Sequence, residues 1–246
     1  MSNHVSLAAR AGILDGVLPA LLLVLPACSL GDGVDGNGQR MEENRDLRDF
    51  SRVSADGPLD VQVQQGNTTS VVVSVDSNLQ RLVRTHVADG RLIVDVSEPI
   101  GDTVAGPHVI VTMPVLHAAR LLGSGSLSAE SFSQGDAIDL SLDGSGDMVF
   151  AGEVPTLTAR LDGSGDMRLR GSATSVVLGL DGSGDLRATD LSAATADISL
   201  GGSGSLAATV TGPSRVTLDG SGDIDLFGGG AIEWSSVSGS GQVRTH

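Results

Sequence analysis

Leu140-Ser141-Leu142-Asp143-Gly144-Ser145-Gly146-Asp147-Met148-Val149-Phe150 is the stretch that decides how this chain folds. A Gly-Ser-Gly triplet stands at its centre, and apolar residues alternate with polar ones on both sides. The triplet recurs seven times, starting at Gly123, Gly144, Gly163, Gly182, Gly202, Gly220 and Gly239, in steps of 21, 19, 19, 20, 18 and 19 residues. The flanks recur with it. With the first glycine of each unit as zero, positions −4 and −2 are pairs such as Leu140/Leu142, Leu178/Leu180 and Val216/Leu218. Positions +4 and +6 are pairs such as Met148/Phe150, Met167/Leu169 and Ile224/Leu226. Alternation of this kind marks strands with one buried face.

Two arrangements have that pattern: a hairpin per unit, or one coil of a parallel β-helix per unit. Hairpin neighbours need no fixed repeat length. Stacked coils bury their apolar faces only against each other, so their register demands nearly constant length. The spacing therefore predicts an all-β fold, a single-stranded parallel β-helix (a solenoid) with coils of about 19 residues. Coils stacked at ~4.8 Å would make a rod of about 34 Å.

Glycine belongs at the corner because a sharp bend between strands needs positive φ, which a Cβ disfavours. The middle serines, Ser124, Ser145, Ser164, Ser183, Ser203, Ser221 and Ser240, are expected to form a structural turn ladder with hydroxyls bonded along the column. A row of nucleophiles would need a base beside it, and no histidine recurs with the serines. Four units read Leu-Asp-Gly-Ser-Gly-Asp, giving one aspartate column at Asp143, Asp162, Asp181 and Asp219 and a second at Asp147, Asp166, Asp185 and Asp223. The expectation is that these carboxylates cap turns, with Arg168 and Arg187 offsetting part of their charge. Calcium is the other reading, since oxygen-rich ladders suit that ion. The spacing is not the nine-residue calcium repeat.

Ahead of the repeat, Leu59–Val63 and Val71–Val75 alternate around a Gly66-Asn67 turn. Leu82–Val87 and Leu92–Val96 flank Ala88-Asp89-Gly90, a hairpin signal, and Ser77–Arg81 has room for one helical turn. No low-complexity linker follows, so residues 47–246 read as one domain whose early coils are irregular.

The first residues read differently. Val17–Ala27 is apolar but too short to span a bilayer, which takes about 20 residues. It has the dimensions of a signal-peptide core, so residues 1–27 are expected to be a leader. Leu25-Pro26-Ala27-Cys28 resembles the lipobox of bacterial lipoproteins. That resemblance implies cleavage before Cys28, lipidation of its thiol, and attachment to a membrane. A general secretory signal, or a chance apolar run with a buried cysteine, are the plainer readings. Ser29 after the cysteine resembles outer-membrane sorting in Gram-negative envelopes. Residues 28–46 are Gly-rich and acidic, with few apolar residues, and are expected to be a flexible tether.

Composition narrows the function. The chain has 246 residues, a formal net charge of −15, 34 glycines, no tyrosine, and no basic residue other than its 15 arginines. That charge excludes a nucleic-acid partner, whose phosphates call for a basic surface. Enzymatic cleavage of an acidic polysaccharide needs a base and charge stabilisers in a groove. His86, His108, His117 and His246 all lie outside the regular coils or at the terminus. Trp234 is the one tryptophan, expected to cover the last coil, whose weak apolar positions (Ser235, Thr245) suit a terminal cap; only a failed cap would leave an edge on which a second copy of the chain would pair.

The order of Phe50-Ser51-Arg52-Val53, Leu59–Gly66, Asp76-Ser77-Asn78-Leu79, Asp89–Val94, Val109–Pro114 and then the Gly-Ser-Gly units resembles the head GIN domain family of auto-transporter adhesins over residues 47–246. The resemblance implies a right-handed single-stranded β-helix in a secreted or lipid-anchored envelope protein. It carries over no catalytic residue and no cofactor. The functional expectation is a non-enzymatic lipoprotein of the cell envelope, serving adhesion, binding or assembly toward a protein or glycan ligand.

Overall fold

A computed structural model of the chain describes residues 33–104 and 106–246. The leader and Cys28 lie outside the described residues. The first strands are β1 (Arg40–Arg45), β2 (Arg52–Asp56), β3 (Asp60–Gln65), β4 (Ser70–Asp76), β5 (Val83–Ala88), β6 (Arg91–Val96) and β7 (His108–Met113). Next come β8 (Ala118–Gly123), β9 (Ser126–Ser133) and β10 (Ile138–Gly144), then three long strands, β11 (Asp147–Gly163), β12 (Asp166–Gly182) and β13 (Asp185–Gly202). The last are β14 (Ser205–Val210), β15 (Ser214–Gly220), β16 (Asp223–Phe227), β17 (Ile232–Gly239) and β18 (Gln242–Thr245).

The coils stack in parallel and in register, as the spacing predicts. Gly123 pairs with Gly144, Gly144 with Gly163, Gly163 with Gly182, and the column continues to Gly239. Each coil has one arm before the corner and one arm after it. Inward positions from both arms fill the interior, and from Ala119 to Leu226 none of those at −4, −2, +4 and +6 is more than 5 % exposed. The core is built from aliphatic layers with two fully buried phenylalanines, Phe132 and Phe150.

Variation in coil length is absorbed away from the Gly-Ser-Gly corner. The 21-residue step takes one extra residue where Ala129 and Phe132 face Phe150 and Gly152, and another in the loop before Ile138. The 20-residue step takes its extra residue between Arg187 and Asp190. The 18-residue step drops residues between Ala188 and Ser192.

The early coils are interleaved. β2 lies in parallel between β6 and β8, and β3 lies in parallel between β7 and β9. Gly57-Pro58-Leu59-Asp60 thus occupies the corner beneath Gly123-Ser124-Gly125-Ser126, with Gly57 N–H donating to Leu122 O at 2.9 Å. Beyond this layer β5 pairs antiparallel with β6, and β4 antiparallel with β7. The β5–β6 hairpin turns at Asp89-Gly90, with φ of 49° and 70°, as the sequence signal indicates. β3 and β4 flank the Gly66-Asn67 turn but are not neighbours, because β7 lies between them. Ser77–Arg81 is a hydrogen-bonded turn and not a helix, and it buries Leu79 completely.

One boundary differs from expectation. The stretch read as a tether, 28–46, contributes β1, which pairs antiparallel with β4 from Arg40 opposite Asp76 to Arg45 opposite Val71. Buried Gln80 ties it down, its Nε2 donating to Met41 O at 2.7 Å and to Val73 O at 3.1 Å. The polar composition misled because an edge strand has only one backbone side to satisfy and few side chains to bury.

Candidate functional site

The corner is the feature that sets this solenoid apart, and its chemistry is backbone chemistry. Gly123 O accepts from Ser145 N–H at 3.0 Å and from Gly146 N–H at 3.1 Å, and each later corner repeats the pair. The first glycine has φ from 103° to 136° in every unit, so it is required by conformation. The second is required by close approach: a Cβ on Gly146 would meet Gly125 O at 2.3 Å and Leu121 Cδ2 at 2.9 Å. Ser124, Ser145, Ser164, Ser183, Ser203, Ser221 and Ser240 line the exposed ridge of the corner. Ser240 Oγ donates to Ser221 Oγ at 3.1 Å. Elsewhere in the column, main-chain amides make the bonds that were expected of the hydroxyls.

The aspartate columns run along either side of this ridge and differ in their partners. After the corner, arginines interleave with the acids. Arg168 binds Asp166 at 3.0 Å and Arg187 binds Asp185, while Arg244 lies 3.0 Å from Asp223. Before the corner, Arg120 binds Asp143 at 2.6 Å. Asp162 sits between Asp143 and Asp181 in register. Partial burial, then the charge and a hydrogen bond of Asp143, then the charge of Asp181, raise the pKa of Asp162 above its ordinary 3.8, with Arg160 opposing. Asp143, Asp166, Asp185 and Asp223 thus bond to arginines on the same or neighbouring coils, two of them the Arg168 and Arg187 to which the sequence points, where caps on their own turns were expected. Among the described residues no group of three or more His, Cys, Asp or Glu side chains is placed to hold a metal ion.

Gly179 and Gly201 thin the outward face of the arm before the corner. They leave a depression of about 300 Å³ bordered by Arg160, Asp162, Asp181, Ser199 and Thr217. On the side of the coils away from the corner, a polar groove of about 720 Å³ is lined by residues including Ser133, Glu153, Ser172, Ser192 and Thr211. Neither groove brings a histidine to an acid. His86 and His117 are exposed, and His246 contacts Asp225 at 2.8 Å while stacking on Phe227. Trp234 does not cover the last coil. It stands in the outward column, opposite Arg215, and is 51 % exposed. The sequence reading missed the corner at Gly57, although Val53/Ala55 and Val61/Val63 repeat the flanking pattern there.

With this geometry in hand, the chain can be set beside known families. The family described as "Putative auto-transporter adhesin, head GIN domain" matches residues 49–230. The chain belongs to this family. Solved structures share the GIN-domain fold. A "putative adhesin" from Bacteroides fragilis has a TM-score of 0.78 at 19% identity, over 87% of this chain and 100% of that one. A "putative lipid binding protein" from Parabacteroides distasonis has 0.71 at 20% identity, over 87% and 99%. A "putative adhesin" from Parabacteroides merdae has 0.65 at 21% identity, over 87% and 98%. Among curated proteins none matches this chain. The GIN-domain family and these structural neighbours carry the names of adhesins or lipid-binding proteins, not of enzymes.

Proposed function

We propose that this GIN domain is a non-enzymatic adhesion module of the cell envelope, held to a membrane through lipid on Cys28 and presenting its outward columns to a protein or glycan ligand. The observation that carries the reading is the uninterrupted stack. Buried aliphatic columns run through successive coils, so the polar columns outside them are held in fixed register over a long face. The adhesin names of the family and its structural neighbours support it. Acylation at Cys28 would supply the two or more chains that stable anchoring takes. Metabolic labelling with an alkyne fatty acid tests the anchor: the parent chain takes up label and sediments with membranes, and Cys28→Ala does neither. Cells displaying the domain are then scored for retention on glycan and matrix-protein surfaces. Retention equal to that of cells displaying no domain would overturn the adhesion reading.

Calcium remains a reading of the aspartate columns, and the surface argues against it. Asp143, Asp166, Asp185 and Asp223 already face arginines, which reduces the charge left for a cation.

A further inference from the structure

Among the described residues, nothing stands against one strand face of the coil formed by β17 and β18. β17 and β18 pair with β15 and β16 on one side, and among the described residues no strand pairs with the other. Val237 continues the inward column above Leu218 yet is 51 % exposed, and Val243 is half-buried above Ile224. Ser235 and Thr245, the remaining inward positions, are exposed. Unpaired backbone groups beside exposed apolar side chains are a template for another strand.

The pattern of the coil says which strand fits. Inward positions lie at −4, −2, +4 and +6, which is symmetric about the middle serine of the corner. A two-fold axis through Ser240 would lay β17 of one copy antiparallel on β18 of another. Val237 then meets Val243 of the second copy, Ser235 meets Thr245, and Trp234 meets His246 on the outside. Inward positions face inward positions, apolar meets apolar, and hydroxyl meets hydroxyl. The charged side chains on β16 and β18 nearest this face find their partners within each copy. Arg244 lies 3.0 Å from Asp223 and 3.6 Å from Asp225, and His246 lies 2.8 Å from Asp225.

Among the described residues the opposite end offers no such match. Its outermost strands, β1 and β5, run antiparallel to their neighbours, and β1 reads Arg-Met-Glu-Glu-Asn-Arg. Charged edge residues of this kind discourage pairing. Head-to-tail stacking, which would build fibres, therefore lacks a partner surface, and the tail-to-tail contact closes on itself.

We propose that the exposed face of β17 and β18 is a contact surface for a second copy of this chain, joined tail to tail about a two-fold axis through the Ser240 corner. The contact is one coil wide, which places it in the small, reversible class of interfaces. Sedimentation equilibrium of the full chain tests it, with Cys28→Ser in every variant so that neither a thiol nor an acyl group links copies. The expected result is a monomer–dimer equilibrium. Val237→Lys, at an exposed position, should leave the melting midpoint unchanged, Val243→Glu, at a half-buried one, should lower it somewhat, and each should weaken association about tenfold or more. An equimolar mixture of the two variants should regain it, because lysine then faces glutamate at one contact and valine faces valine at the other. Monomer at all concentrations, association unaffected by either substitution, no recovery in the mixture, or growth into open-ended oligomers would each overturn the proposal.

Discussion

Gly163, Ser164 and Gly165 stand side by side and carry unequal weight. A Cβ at Gly163 would lie 2.2 Å from Gly144 O, at a φ of 133°. A Cβ at Gly165 would lie 2.2 Å from Gly146 O and 3.0 Å from Leu142 Cδ2. Ser164 contributes an amide bond to Gly144 O at 2.9 Å, which any residue but proline would make. Gly163→Ala and Gly165→Ala should therefore each cost about 2 kcal/mol or more, and Ser164→Ala less than about 0.5 kcal/mol, in urea unfolding. The serine is the most regular feature of the sequence, yet by this geometry it is the cheapest of the three to replace. Asp162 gives a pH signature. Its pKa is raised in the folded state, so its contribution to stability is full below the ordinary 3.8 and is lost as pH rises through the folded value. Asp162→Asn should then raise the melting midpoint at neutral pH, with the gain closing as the pH falls below 3.8. The gain should be small, because the side chain is exposed and solvent screens it.

At the level of strands and coils, Leu161 shows what the columns contribute. It is fully buried between Leu142 and Leu180 in adjacent coils, and Leu161→Ala should cost about 3 kcal/mol through lost transfer and a residual cavity. β1 supplies a second test. If residues 33–46 were only a tether, deleting them would leave thermal unfolding unchanged. Because β1 covers the edge of β4 and engages Gln80, the deletion should lower the midpoint by roughly 5 °C. These elements also mark how far the sequence can be read. The later coils were legible because each buries its face on a neighbour about 19 residues away, so periodicity and packing are the same fact. The coil of β2 and β3 was not, because its neighbour β8 follows only after the excursion through β4, β5, β6 and β7. Its corner also has Pro58 and Leu59 where later corners have serine and glycine. The aspartates were legible as columns with Arg168 and Arg187 beside them, whereas the bond from Arg120 to Asp143 was not, since it depends on coils placing residues 23 apart side by side.

For the molecule as a whole, charge and stacking act in opposition. A net charge of −15 repels itself, and the arginine–aspartate rows relieve that repulsion only locally. Sodium chloride should therefore raise the melting midpoint, and millimolar calcium should raise it no further than sodium at matched ionic strength. A rise specific to calcium, lost in Asp162→Asn/Asp181→Asn, would instead make the aspartate columns a metal site. The uneven placement of insertions has a consequence for engineering. Every coil keeps the same phase at the Gly-Ser-Gly ridge, while the far side accommodates coils from 18 to 21 residues long. One side of the solenoid keeps time and the other is free to drift. A foreign peptide grafted into the loop before Ile138 should thus leave the spacing of every outward column intact, making that loop a natural place to display cargo.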